Sequence, residues 1–341
     1  MPIGRGGRAA DGRERVRAGR LRGWGGVTGM AVACALTAAA VLVPLSRHPD
    51  AHGAPAASAA QGTAGRPAAP AADTCREPEA SLTPSGADGP TIARIKAAGK
   101  LVAGVDQNSY RWGYRNPATG QLEGFDIDLV KAIAREILGD EDAVIYRAIP
   151  TSQRIPALKE GRVDVVVRTM TINCKRLEEV AFSTAYFETG PQVLVPKGSP
   201  ITGYDASLRG RRICSASGST AETQLKAKSF GADVSRTVPN QLDCLVRLQL
   251  GEVDGMVTDN ALAAGLAAQD PSVKLVGQPF ATEFYGVAMN KDASDLVRRV
   301  NKVLDGYRRG GANSPWMAAY RKWLAADLPD ITAPPAPKYR G

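Results

Sequence analysis

Hydrophobic and polar positions between residues 91 and 328 switch repeatedly between a helical period and short continuous apolar runs. Phe125, Leu129, Ile133 and Ile137 recur every four residues, predicting an amphipathic helix that stops at Gly139. A shorter helix over Ile92–Ala98 ends at Gly99. Apolar runs at Leu101–Val105, Ala143–Ile149, Val163–Val167, Gln192–Val195, Arg211–Ser215, Val253–Thr258 and Tyr285–Met289 read as strands. Helices over Arg154–Glu160 and Gln241–Leu250 separate some of them, and two more close the pattern. The last carries Trp316, Tyr320, Trp323 and Leu324 on one face, as core. Alternating strands and helices predict an α/β protein.

One junction occurs twice. Gly161-Arg-Val-Asp164 and Gly251-Glu-Val-Asp254 each end a helix and open a buried strand. Five residues past the shared Asp stand Thr169 in the first copy and Asp259 in the second. Ligands of open α/β sheets sit outside the carboxyl ends of strands. Two similar lobes would therefore face each other across a cleft. One side offers Arg168, Thr169, Thr171 and Arg176, and the other offers Asp259. Cations and hydroxyls opposite an anion suit a zwitterion. Ser217-Gly218-Ser219-Thr220, between a strand and a helix, adds an anion site of backbone amides; no Gly-Lys-Ser/Thr follows, so it is not a nucleotide-binding loop.

Upstream the pattern changes. Residues 1–26 form a basic N-terminal region, and Val27–Leu45 is apolar and free of charge. This order reads as an export signal or membrane anchor, with Ala51-His52-Gly53 as a possible cleavage site. Cys34 lies in a weak match to a lipidation motif, or is apolar filler. Residues 46–90 are dominated by Ala, Pro, Gly, Ser and Thr and are expected to be a disordered spacer.

Composition narrows the chemistry. The net charge of +9 is spread along 341 residues without a basic stripe of interleaved aromatics, which argues against nucleic acid. The two histidines, His48 and His52, precede the folded part, so no imidazole-based triad or metal centre is expected there. Cys75, Cys174, Cys214 and Cys244 form an even set in an exported chain, hence two disulfides with three possible connectivities. Cys214 and Cys244 lie on a strand and the following helix. Cys75 with Cys174 would pin the spacer to the first lobe.

Leu101-Val-Ala-Gly-Val-Asp-Gln-Asn-Ser-Tyr110, Gly124-Phe-Asp-Ile-Asp-Leu129 and Arg168-Thr-Met-Thr-Ile-Asn-Cys-Lys-Arg176 carry a resemblance. Over residues 91–326 the chain resembles the extracellular solute-binding proteins of polar amino-acid ABC importers, most of all the glutamate-binding subunits of actinobacteria. The resemblance implies a two-lobe periplasmic-binding-protein fold of type II. Lobe 1 would span residues 91–195 and 285–328, lobe 2 residues 196–284, and a tail residues 329–341. The crossings would lie near Gly190–Lys197 and Phe284–Lys291. It implies that Arg176 binds an α-carboxylate, with Thr171 and the amides at Ser219 and Thr220, while Asp259 and Thr169 take the α-ammonium. Tyr110 or Trp112 would cover the aliphatic part of the ligand, with Met170 in the same set. Arg154 and Arg168 would remain for a side-chain carboxylate, favouring glutamate, or aspartate, over glutamine. Asn173 stands where relatives often carry Thr. A monomeric binding unit serving a permease and its ATPase, without cofactor, is the expected role. A membrane-anchored sensor is an alternative. So is an enzyme on the same fold, for which Asp106 is the nearby unassigned carboxylate.

Overall fold

The computed structural model describes residues 75–340. The basic region, the apolar segment with Cys34 and the spacer up to residue 74 lie outside the described residues.

The first lobe is built on a five-stranded sheet ordered Val144–Ala148, Leu101–Val105, Val165–Val166, Ala288–Asn290 and Val180–Phe182. The first three strands run parallel and the last two antiparallel to their neighbours. Leu101, Ala103 and Val105, which share one face of this central strand, are wholly buried in the first core cluster, and Val102 on the other face packs against the second. The helix Phe125–Leu138 lays its four-residue stripe into this core and ends at Gly139, whose positive φ of 77° is the left-handed cap the sequence predicts.

The second lobe repeats the plan. Its sheet runs Thr237–Val238, Ile213–Ala216, Gly255–Asp259, Pro191–Pro196 and Val273–Val276, again two parallel pairings followed by two antiparallel ones. In both lobes a strand next to a crossing lies fourth, and of the remaining strands of the sheet the second in chain order is at the edge with the first beside it.

The crossings themselves pair as a two-stranded antiparallel hinge, Phe187–Thr189 with Glu283–Tyr285. This corrects the expected boundaries. Pro191–Pro196 is a full strand of the second lobe, with Pro191 opposite Asp259. The chain turns before it at Gly190, where a Cβ would stand 2.2 Å from the Ala281 carbonyl oxygen. The run Tyr285–Met289, read as one strand, is split between the hinge and the first lobe.

Both ends of the described chain are also tied down, against the expectation of a disordered spacer up to residue 90. Ser81–Leu82 pairs with Tyr339–Arg340. Asn301 donates to Ser81 (2.9 Å), Arg298 to the Thr83 carbonyl (3.0 Å), and Arg299 pairs with Asp88 (2.6 Å). These anchors are polar and residue-specific, so no hydrophobic period announces them. Two disulfides, Cys75–Cys174 and Cys214–Cys244, resolve the three connectivities. Among the described residues, no helix is long and apolar enough to cross a membrane.

Candidate functional site

The repeated junction does the same work in each lobe. Asp164 accepts from the Val102 amide (2.8 Å) and Asp254 from the Arg212 amide (2.8 Å), each fastening its strand to a parallel neighbour. Both strands then discharge into one small cavity between the lobes. Seven of the residues singled out from the sequence line it: Arg154, Thr169, Thr171, Arg176, Ser219, Thr220 and Asp259.

Thr169 takes a φ of +42°, a left-handed conformation that costs a non-glycine residue about 1–2 kcal/mol. Asp126 offsets that strain by accepting from the Thr169 amide (3.0 Å), and its other oxygen accepts from the Tyr186 hydroxyl (2.9 Å). Burial pushes the Asp126 carboxyl up to about 7, against the pull of those two hydrogen bonds.

Arg176 sits on a four-residue helix, Cys174–Leu177, capped by Asn173, whose side chain accepts from the Arg176 amide (2.9 Å). Asn and Thr both serve as N-caps, so the residue at 173 keeps the local function. The buried Arg176 guanidinium donates to the carbonyls of Thr171 (2.6 Å) and, across the cleft, Gly218 (3.1 Å). Arg154 donates to Thr151 O (2.9 Å) and also reaches Gly218 O (3.4 Å). Neither has a carboxylate within ion-pair distance among the described residues. Burial lowers the pKa of both guanidiniums. For Arg154 the positive charges of Arg176 and Arg168 lower it further. Two buried cations with only carbonyl partners form a pocket for anions.

Asp259 precedes the helix Asn260–Gln269 and accepts from the Tyr285 hydroxyl (2.6 Å). Burial, and then the negative charge of Glu283, push its carboxyl up to about 7. Glu283 stands behind the cavity wall. It accepts from the hydroxyls of Thr171 (2.6 Å) and Thr220 (2.9 Å).

Four expected site residues lie elsewhere. Arg168 is wholly buried in an ion pair with Asp106 (2.9 Å), so its charge is already matched. Trp112 is 1% exposed among aromatic rings, 4.8 Å from Phe187, with its indole N–H on the Ala261 carbonyl. Met170 is buried in the first lobe's second core cluster. Tyr110 packs edge-on to Tyr114, on a separate outer groove. Arg168 and Met170 alternate with Thr169 and Thr171 after the strand Val165–Val166 and are covered, while Trp112 lies in the turn before the strand Gly113–Arg115 with its ring in the core. Asp106 also accepts from the Gln107 and Asn108 amides and the Ser109 hydroxyl, which leaves it no role as a general base.

Sequence reasoning missed Gln241 and Thr258, which line the cavity, and Glu283 behind it. A charged residue opening an otherwise apolar hinge strand was the available signal for Glu283.

Residues 101–326 match the bacterial extracellular solute-binding proteins, family 3. The chain belongs to this family. It is 37% identical over 237 residues to the ABC transporter glutamine-binding protein GlnH of Bacillus subtilis (strain 168), covering 70% of this chain and 85% of that one. It is 29% identical to the glutamate-binding protein GluB of Corynebacterium efficiens over 61% of this chain and 74% of that one. Among solved structures, an ancestral arginine-binding protein bound to glutamine is similar at 36% identity and a TM-score of 0.61, covering 66% and 98%. The two-lobe α/β fold and a non-enzymatic, solute-binding role follow from family membership. The relatives include both glutamine and glutamate binders.

Proposed function

We propose that this chain captures an acidic amino acid, glutamate foremost, outside the cell and delivers it to an ABC importer. The observation that supports it is the pair of buried guanidiniums, Arg154 and Arg176, facing one cavity without carboxylate partners among the described residues. A ligand with two carboxylates matches both. Arg176 and the amides at the start of the helix Thr220–Ala227 take the α-carboxylate, Asp259 takes the α-ammonium, and Arg154 takes the side-chain carboxylate. With Arg168 committed to Asp106, the side chain has one cation, not two.

Glutamine is the second reading. Glu283 already brings a negative charge near Arg176, and the glutamine-binding relatives are 37% and 35% identical to this chain over 237 and 230 residues. Calorimetric titration of the full chain with L-glutamate, L-aspartate and L-glutamine separates the two. Glutamate binds tightest on the acidic reading, and Arg154→Gln reverses its advantage over glutamine. Glutamine binding as tightly as glutamate to the unaltered protein would remove it.

A further inference from the structure

We propose that Glu283 is the closure latch of this binding protein, a positioning residue that grips both lobes from the hinge. The inference rests on reading the cavity as the amino-acid site, though its own geometry is independent of the ligand's identity.

Glu283 opens the second hinge strand, opposite Thr189, and is only 7% exposed. One carboxylate oxygen accepts from the Thr171 hydroxyl, in the first lobe, and from the Thr220 hydroxyl, in the second. The other accepts from the Gln224 side-chain amide, one turn further along the second lobe's helix (3.2 Å). No lysine or arginine stands within ion-pair distance of it among the described residues, so these three donors are its compensation. Hydroxyl–carboxylate bonds of this kind are strong and short-ranged. Because Glu283 lies on the pivot, parting the lobes draws Thr171 and Thr220 away from each other, and one carboxylate can no longer serve both. The latch therefore holds only the closed arrangement.

It also has a consequence for chemistry in the cavity. Each hydroxyl has a single proton. With that proton given to Glu283, Thr171 and Thr220 turn oxygen lone pairs, not donors, toward a bound molecule.

The test is stopped-flow binding of L-glutamate and L-glutamine to the full chain, as unaltered protein, Glu283→Ala, Thr220→Val and the double variant. A latch acts on the lifetime of the closed complex. Glu283→Ala should raise the dissociation rate about ten- to a hundredfold, while association changes less than about threefold. Thr220→Val should raise it less, and the double variant should be no worse than Glu283→Ala alone. Dissociation within about twofold of the unaltered protein, or effects of the two substitutions that simply multiply, would overturn the proposal. If Glu283→Ala does not fold, Glu283→Gln keeps the shape, removes the charge and is judged by the same rates. Small-angle scattering without ligand gives a separate reading, in which Glu283→Ala should have a larger radius of gyration than the unaltered chain; equal radii count against the latch. Failure of the unaltered protein to bind either amino acid would remove the proposed ligand and leave the scattering result to decide the latch.

Discussion

Arg168 and Asp106 form an ion pair 2.9 Å long, with side-chain exposures of 0% and 5%. The same guanidinium donates to Thr151 in its own lobe (3.0 Å) and to Asn240 in the other (3.0 Å). A residue that reads from sequence as a ligand contact is thus a structural rivet at the rim where the lobes meet. On the proposed reading, the positive charge left for a ligand side chain comes from Arg154.

Arg168→Met should accordingly behave as a stability variant. It leaves Asp106 buried without its cation, a loss of about 3–5 kcal/mol in comparable buried pairs. Denaturant unfolding reads the loss directly. The ratio of glutamate to glutamine affinity should stay within about threefold of the unaltered protein in any variant that still folds. A collapse of that ratio with unchanged stability would return Arg168 to the ligand.

On the proposed reading, Arg176→Ala and Asp259→Asn act on opposite ends of the ligand backbone. Each removes a charge-assisted interaction worth about 1.5–3 kcal/mol or more, hence at least a ten- to hundredfold weaker dissociation constant. Arg176→Ala also loses the bond to Gly218 across the cleft, so it should be the more severe of the two. Calorimetry showing unchanged affinity in Arg176→Ala would end its assignment to the α-carboxylate.

Affinity should fall in mild acid. Asp259, raised to about 7 by burial and by Glu283, is largely protonated below that pH in the ligand-free protein. An ammonium ligand requires the ionised form, so each pH unit below about 7 should weaken binding by up to about tenfold. The stability sign runs the other way. Asp126 and Asp259 both rise from an ordinary 3.8 to about 7 in the folded chain. Their contribution is full below about pH 3.8 and is lost as pH climbs through 7. Melting temperatures from pH 5 to 8, with and without glutamate, test both signs. Ligand should stabilise more at pH 8 than at pH 5, and Asp259→Asn should flatten that difference.

The sequence made the lobes legible because their signals are local and periodic. The stripe Phe125 to Ile137, the caps at Gly99 and Gly139 and the twin Gly-x-Val-Asp junctions each follow from neighbours within a few residues. Seven of the eleven candidate site residues reach the cavity for the same reason: they follow strand exits or open a helix. What stayed hidden depends on distant partners. Nothing local to Arg168 announces Asp106, 62 positions earlier, and nothing near Glu283 announces Thr171, 112 positions earlier. The anchoring of the arm before Gly89 likewise depends on Arg298, Arg299 and Asn301, more than two hundred residues away.

The disulfide Cys75–Cys174 joins that arm to the helix carrying Arg176, two residues from the guanidinium, and both of its cysteines are exposed. Cys214–Cys244 is buried. A soluble reductant should therefore open the first bond before the second. Replacing both Cys75 and Cys174 by Ser should lower stability by about 2–4 kcal/mol. It should also weaken amino-acid binding, because the four-residue helix loses a covalent anchor. Thiol trapping with mass spectrometry gives the order of opening, and calorimetry gives the loss.

Gly218 makes the strictest demand on closure. Its φ of +78° favours glycine, and a Cβ there would stand 2.9 Å from Ser152 Cα, a backbone atom of the opposite lobe. Its carbonyl is the acceptor that Arg154 and Arg176 share across the cleft. Gly218→Ala should add about 1 kcal/mol of backbone strain in either state. The collision with Ser152 exists only when the lobes are together, so its cost falls on the closed form alone. The expected result is a folded protein with a slightly lower melting temperature and amino-acid affinity reduced by more than about tenfold, whichever ligand is titrated. Ser152→Gly in the same chain removes a Cβ 3.2 Å away but leaves the backbone contact, so it should restore only part of the affinity. Full affinity in Gly218→Ala would mean that the lobes close at a different angle from the one described.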